Sequence, residues 1–144
     1  MIRIRNRTVF QTPFGEMWRP YVVVDIANLQ GEFVPYEMLL DSGSDISLIS
    51  FMMGEYLGLT ETPGEPRIHL RGIRPEPVEI LMRQMILRID GQQFPCRVGW
   101  AMDERVPLLL GRLDVFSRFH IEFRQKKQEI ILRTAKRRFL GIAP

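Results

Sequence analysis

A single cysteine, Cys96, rules out an internal disulfide framework and fits a reducing compartment. The two histidines, His69 and His120, do not combine with it at zinc-ligand spacing. The acidic segment at Asp41 and Asp45 lacks the glycine and the distant glutamate of a calcium loop, so neither a metal nor another cofactor is expected. Walker and dinucleotide glycine loops are absent. Neither Ser42 nor Ser44 sits in a Gly-x-Ser-x-Gly elbow, which removes that route to an activated serine. Apolar runs fall well short of the ~20 residues needed to span a bilayer, so no membrane partner is expected. Residues 1–7 carry charge without a following apolar block, which is not the pattern of a secretory signal, and the expected location is cytoplasmic.

What is present is ordinary for a globular chain. The 144 residues are most simply one domain, 45% hydrophobic and 26% charged. A chain of this size buries roughly 68–70% of its unfolded surface, enough for a proper core. The formal net charge of +3 is a mild basic bias. Ile2 and Ile4 alternate with Arg3 and Arg5, the period of a half-exposed strand with arginines on its wet face. The competing reading, a basic domain with a nucleic-acid-binding arm, lacks an aromatic stacking platform beside those arginines, and no nucleic acid is expected.

Along the chain, residues 11–16 contain Pro13 and Gly15 and read as a loop. Residues 21–26 and 33–40 read as strands around a turn at 28–31, and residues 46–49 as a third. Ser50 is placed to cap a short helix that Gly58 stops. Residues 68–70 and 78–82 are predicted strands flanking a hairpin tip at 71–77. Residues 85–89 run into Asp90-Gly91, a pair that favours a type I′ turn with a return arm at 94–100. Pro95 suggests an edge position on that arm. A second apolar run, Val106-Pro107-Leu108-Leu109-Leu110, ends at Gly111. Residues 114–119 are expected to form a short helix. Phe119, Ile121 and Phe123 alternate with polar residues as another half-buried strand, and residues 129–132 return after a polar turn. Arg133, Lys136, Arg137 and Arg138 make a basic tail. Many short strands with one or two brief helices predict an all-β domain.

One stretch stands out. In Met38-Leu39-Leu40-Asp41-Ser42-Gly43-Ser44-Asp45 an apolar strand delivers a carboxylate into a tight turn, which is costly unless hydrogen bonds or chemistry justify it. Cys96 paired with a histidine is the rival nucleophile, but its place beside Pro95 reads as a core or edge residue.

Leu40-Asp41-Ser42-Gly43-Ser44-Asp45 resembles the Asp-Thr/Ser-Gly catalytic loop of the retropepsin family of single-domain aspartic proteases. The run from Val106 to Gly111-Arg112 resembles their second signature, an apolar run ending in Gly-Arg before a C-terminal helix. Trp18-Arg19-Pro20 is similar to the segment before the first core strand of retroviral members, and residues 50–59 to the helix after the catalytic strand in cellular and prokaryotic relatives. The likeness runs in the right order over about residues 18–123. It implies a retropepsin-like closed barrel at 18–132, preceded by an extension at 1–17 and followed by a tail at 133–144.

The resemblance also implies a function. Aspartic proteolysis needs two carboxylates about 3 Å apart sharing one proton. A chain with one such loop supplies only half, so the resemblance implies a homodimer with one Asp41 from each subunit on a C2 axis, acting on a peptide or protein substrate. Asp41, Ser42 and Gly43 are then the catalytic loop, with Ser42 bonding across the axis. Ser44, Asp45, Gly72 and Ile73 are expected at the substrate, and the arginines flanking the tip as subsite residues. Ser44 is expected to donate to the carboxylate, favouring its charged form and an acidic optimum. Asp45, Arg112 and Arg19 match a family ion-pair set, Asp45 pairing with Arg112 of its own chain and Arg19 of the partner.

Two features depart from the family. Residues 71–77, the expected flap, hold one glycine, two prolines and two arginines, a stiffer tip than the glycine-rich retroviral one. Retroviral chains stop near the equivalent of Phe123, and their termini interleave to build the dimer. Here another arm and a basic tail follow, which implies a dimer assembled differently or a tail that is moved or cleaved. A peptide-binding or dimerisation module without cleavage is the alternative reading.

Overall fold

The computed structural model describes residues 1–136, and of the basic tail Arg137 and Arg138 lie outside the described residues. The chain opens with β1 (Ile2–Arg5), β2 (Val9–Thr12) and β3 (Gly15–Trp18). The core strands follow as β4 (Tyr21–Ala27), β5 (Phe33–Leu40) and β6 (Ser47–Ile49), then helix α1 (Phe51–Tyr56). After it come β7 (Ile68–Leu70), β8 (Val78–Ile89), β9 (Gln92–Ala101) and β10 (Leu109–Leu110). β11 (Phe119–Arg124), a 3-10 turn at Gln125–Lys127 and β12 (Glu129–Thr134) complete it. The architecture is all-β, as the sequence pattern predicts.

Strand alternation builds the barrel. Val22, Val24 and Ile26 point inward from β4 while Val23 faces solvent, and Met38 and Leu40 point inward from β5. The sheet runs β4-β5-β10-β6-β9-β8, with β7 on the far edge of β8, and pairing of β4 with β8 closes a six-stranded ring. Closure leaves no strand of the ring at an outer edge, and only local stretches such as residues 92–97 of β9 are paired on one side alone. At the seam Arg88 Nε reaches Asp25 Oδ2 at 2.9 Å and its guanidinium lies over the Phe33 ring at 4.0 Å.

Local signals set the connections. Asn28 Oδ1 accepts from the amides of Gln30 and Glu32, forming the β4–β5 turn. Asp90 and Gly91 both have positive φ, 47° and 80°, as a type I′ turn requires. Ser50 caps α1, its hydroxyl accepting from the Met53 amide at 3.4 Å. Behind α1, the Phe51 and Trp100 rings stack at 5.5 Å.

Three expectations are corrected. Residues 11–16 are not a plain loop: β2 and β3 form a hairpin whose tip holds Pro13 and Phe14. Both arms are largely exposed, so no apolar alternation announced them. Residues 112–118 form consecutive turns rather than a helix, because Asp114 adopts a left-handed φ of 63° that breaks the helical run. Its carboxylate there accepts from the Arg97 amide and guanidinium at 2.9 Å. Finally, Phe123 is exposed, while Phe119 and Ile121 turn inward. Two refinements accompany these. Strands expected at 78–82 and 85–89 are one continuous β8. Pro95 sits where β9 has passed the end of β6, a local edge of an otherwise interior strand.

A second sheet, β1-β12-β11, gathers both ends of the described chain. Its inner face supplies Ile2, Ile130, Leu132 and Phe119 to the core. On the outer face the buried Glu129 is flanked by Arg5 at 3.3 Å and Arg124 at 3.0 Å.

Candidate functional site

The topology that positions Asp41 is the insertion of β10 between β5 and β6. β5 runs parallel to β10, β10 runs antiparallel to β6, and the 41–46 loop must cross over the end of β10 to join them. Every step of that crossing is hydrogen-bonded. The Asp41 amide donates to Leu110 O at 3.0 Å, and the Arg112 and Leu113 amides donate to Ser44 O and Asp45 O, each at 2.9 Å. Ser47, wholly buried, accepts from the Gly111 amide at 3.0 Å. A Cβ at Gly111 would collide with the Ile46 carbonyl and lie 2.9 Å from Ser44 O, so only glycine permits this approach. The run ending in Gly111 is thus the floor on which the Asp41 loop rests.

Within the loop the Asp41 carboxylate accepts from the Gly43 amide at 2.9 Å, and the Ser44 amide donates to Asp41 O at 3.2 Å. Ser42 and Gly43 are exposed, and Asp41 is half-buried at the rim. Ser44 departs from expectation. Its hydroxyl donates to Ile46 O at 2.7 Å, tightening the loop instead of serving the Asp41 carboxylate. The ion-pair set is not assembled within the chain either. Arg112 Nη1 donates to Ser42 O at 3.1 Å and its guanidinium lies over Phe116. Arg19 lies over Phe10 at 4.7 Å, and among the described residues Asp45 makes no ion pair.

Asp41, Gly43, Ser44 and Asp45 line a cleft of about 520 Å³. Across it stand Gly72, Ile73, Arg71, Arg74 and Glu76 of the β7–β8 hairpin tip. The structure therefore brings the Asp41 loop and the Gly72–Ile73 tip to one site, and leaves Arg19 and Arg112 outside its lining. Between them the walls are apolar, with Ile46, Leu48, Leu70, Val78, Val106 and Leu109. Sequence reasoning missed Arg105, which lines the cleft beside Val106, and Asp103, which lies outside the lining and binds it from behind. There Asp103 is held well below its usual range, to about 2, by the Arg105 amide, the Arg105 guanidinium and Arg74. The legible signal was an Asp-x-Arg immediately before the Val106-Pro107 run.

Cys96 is no rival for the chemistry. It is fully buried, and burial, then the Asp114 charge, push its thiol up to about 12. Among the described residues no three His, Cys, Asp or Glu side chains converge as a metal site, and no helix is long and apolar enough to cross a membrane.

The retropepsin-like aspartic protease from Rickettsia conorii superposes with a TM-score of 0.63 over 90% of this chain and 98% of its own, at 16% identity. The fold is retropepsin-like. A second solved structure, EIAV protease complexed with the inhibitor HBY-793, matches 65% of this chain and 82% of its own at 23% identity, with a TM-score of 0.48. No family model matches the sequence, and no curated protein matches it. At 16% identity the likeness to the Rickettsia protein is one of fold, and the retropepsin-like barrel is what it establishes.

Proposed function

We propose that the chain is an aspartic endopeptidase that works as a homodimer, with Asp41 of each copy forming the dyad. The observation that carries this reading is the shared cleft: the Asp41 carboxylate faces a hairpin tip across apolar walls in a retropepsin-like barrel. One carboxylate takes a proton from water as its oxygen attacks the scissile carbonyl carbon. The other, protonated, donates to the carbonyl oxygen. The tetrahedral intermediate collapses with proton transfer to the amide nitrogen, and the C–N bond breaks. Ser42, exposed at the loop, is the residue for a bond across the axis. The tip acts as a flap over an extended peptide bound by strand addition, and the apolar walls favour hydrophobic residues around the cleaved bond.

Activity is expected to be highest at acidic pH, where two facing carboxylates keep one shared proton, and to fall as rising pH removes it. With Ser44 engaged elsewhere, that shared proton is the basis for the expectation. The test is cleavage of a mixed peptide library from about pH 3 to pH 8 by wild type and Asp41→Asn. Cleavage that disappears in the variant and under a transition-state-mimicking aspartic protease inhibitor is the expected result. No cleavage at any pH from a protein shown to be dimeric would replace this reading with a peptide-binding module.

A further inference from the structure

The β7–β8 hairpin has little to hold its tip in place. Its ladder ends at Leu70↔Val78, residues 71–77 are all exposed, and Ile73 is fully so. Burial therefore does not fix the tip over the cleft. A single hydrogen bond, among the described residues, ties residues 71–77 to the rest of the chain: Arg74 Nη2 to Asp103 Oδ2 at 3.2 Å.

The far side of that bond is firmly built. Met102 N donates to Glu79 O at 2.8 Å, Phe51 N to Asp103 O at 3.4 Å, and Met52 N to Glu104 Oε2 at 2.8 Å. The 102–105 segment is thereby anchored to both β8 and α1. The Asp103 carboxylate is aimed by the Arg105 amide at 2.8 Å and by Arg105 Nε at 3.3 Å. Charge is complementary across the gap. The tip carries Arg74 and Glu76, the facing segment Asp103 and Arg105, and Glu76 and Arg105 attract one another. Pro75 and Pro77 bracket Glu76 and reduce the conformations the tip must give up to make the contact.

We propose that Arg74 and Asp103 form a latch that positions the hairpin tip over the Asp41 cleft and sets how readily a peptide enters it. This rests on reading the cleft as a peptide site. The two residues are positioning residues, with no place at the reacting atoms. Asp103 stays ionised down to about pH 2, so across the assay range the latch answers to ionic strength and not to pH.

The latch is tested first without catalysis, in the Asp41→Asn protein, by the backbone 15N order parameters of Gly72 and Ile73. They are expected to fall in Arg74→Gln, to fall in the parent on raising salt from about 0.05 to about 0.5 M, and to hold in Arg74→Lys at low salt. Amides of β8 and β9 should not respond, which separates loss of the latch from loss of the fold. In the wild-type background the change is expected in KM, a decrease of about two- to five-fold in Arg74→Gln, the range for an exposed ion pair. Salt should then no longer move KM. Order parameters unchanged by Arg74→Gln and by salt would overturn the latch even if the protein cleaves peptides. Order parameters that respond in a protein that cleaves nothing would keep the latch and sink the protease.

Discussion

Gly111 and Ser44 occupy adjacent layers of one turn, yet they are expected to answer differently to a methyl group. At Gly111 the added carbon meets backbone, the Ile46 carbonyl, which cannot rotate away. Gly111→Ala must therefore push the Asp41 loop off β10, at a cost of about 1–3 kcal/mol. Because Asp41 N is bonded to Leu110 O in that same layer, cleavage should fall further than stability alone accounts for. Ser44→Ala removes only the bond to Ile46 O and is expected to cost about 0.5–1.5 kcal/mol, with the pH profile of cleavage left in place. Urea unfolding beside a pH–rate profile distinguishes them. A shifted profile in Ser44→Ala would restore the hydroxyl to the carboxylate. The sequence made the Asp-Ser-Gly turn legible because a carboxylate at the end of an apolar strand is expensive. It left the direction of the Ser44 hydroxyl open, since a loop carbonyl and a carboxylate are both acceptors within its reach.

At the scale of elements, legibility followed burial. β4 and β5 were readable from a β-branched run and the turn between them, β1 and β11 from their alternation, and the Asp90-Gly91 turn announced the β8–β9 hairpin. The β2–β3 hairpin and the Asp114 turn were hidden because exposed arms and a single left-handed residue leave no periodic trace. The 60–67 connection is held in the same unperiodic way, by charge. Arg83 clasps Glu65 with both terminal nitrogens, at 2.7 and 2.8 Å, and also donates to Thr60 O at 2.9 Å. The Arg83 hydrogen bonds, then the Thr62 amide, lower Glu65 to about 2 from an ordinary 4.5. A carboxylate lowered on folding contributes stability that is complete above its unfolded value and is lost as pH falls. The contribution of Glu65 is therefore intact above about pH 4.5 and disappears toward about pH 2. The melting temperature is expected to drop across that window and to drop less in Glu65→Gln, followed by circular dichroism. Equal slopes in the two proteins would show that the clasp does not report on folding. For an enzyme proposed to work in acid, an ion pair that survives to low pH keeps the 60–67 loop on β8 under assay conditions.

For the whole molecule, the decisive question is how two Asp41 loops meet. In the described chain β12 is already paired on both sides, by β1 and by β11. An interleaved terminal sheet would require one of those ladders to open, and both lie over buried residues of β12. The proposed dimer is instead expected to form without strand exchange. The Asp41 loop and the hairpin tip are then expected to supply most of its contact. An interface confined to that loop and tip is expected to fall below the ~1,200 Å² of a stable complex, with a dissociation constant of roughly micromolar or weaker. Catalysis then depends on association, and activity per chain must fall on dilution, approaching second order in protein when monomer dominates. Initial rates measured over a dilution series, beside sedimentation velocity on the same samples, give both quantities independently. Activity per chain that stays constant while sedimentation shows monomer would contradict a shared dyad. Constant activity with dimer throughout would mean that a larger surface, beyond the loop and the tip, holds the copies together. In the proposed dimer a peptide bound in the cleft is expected to touch both copies and to raise their apparent affinity for one another by mass action, so dissociation is expected to be suppressed at saturating substrate.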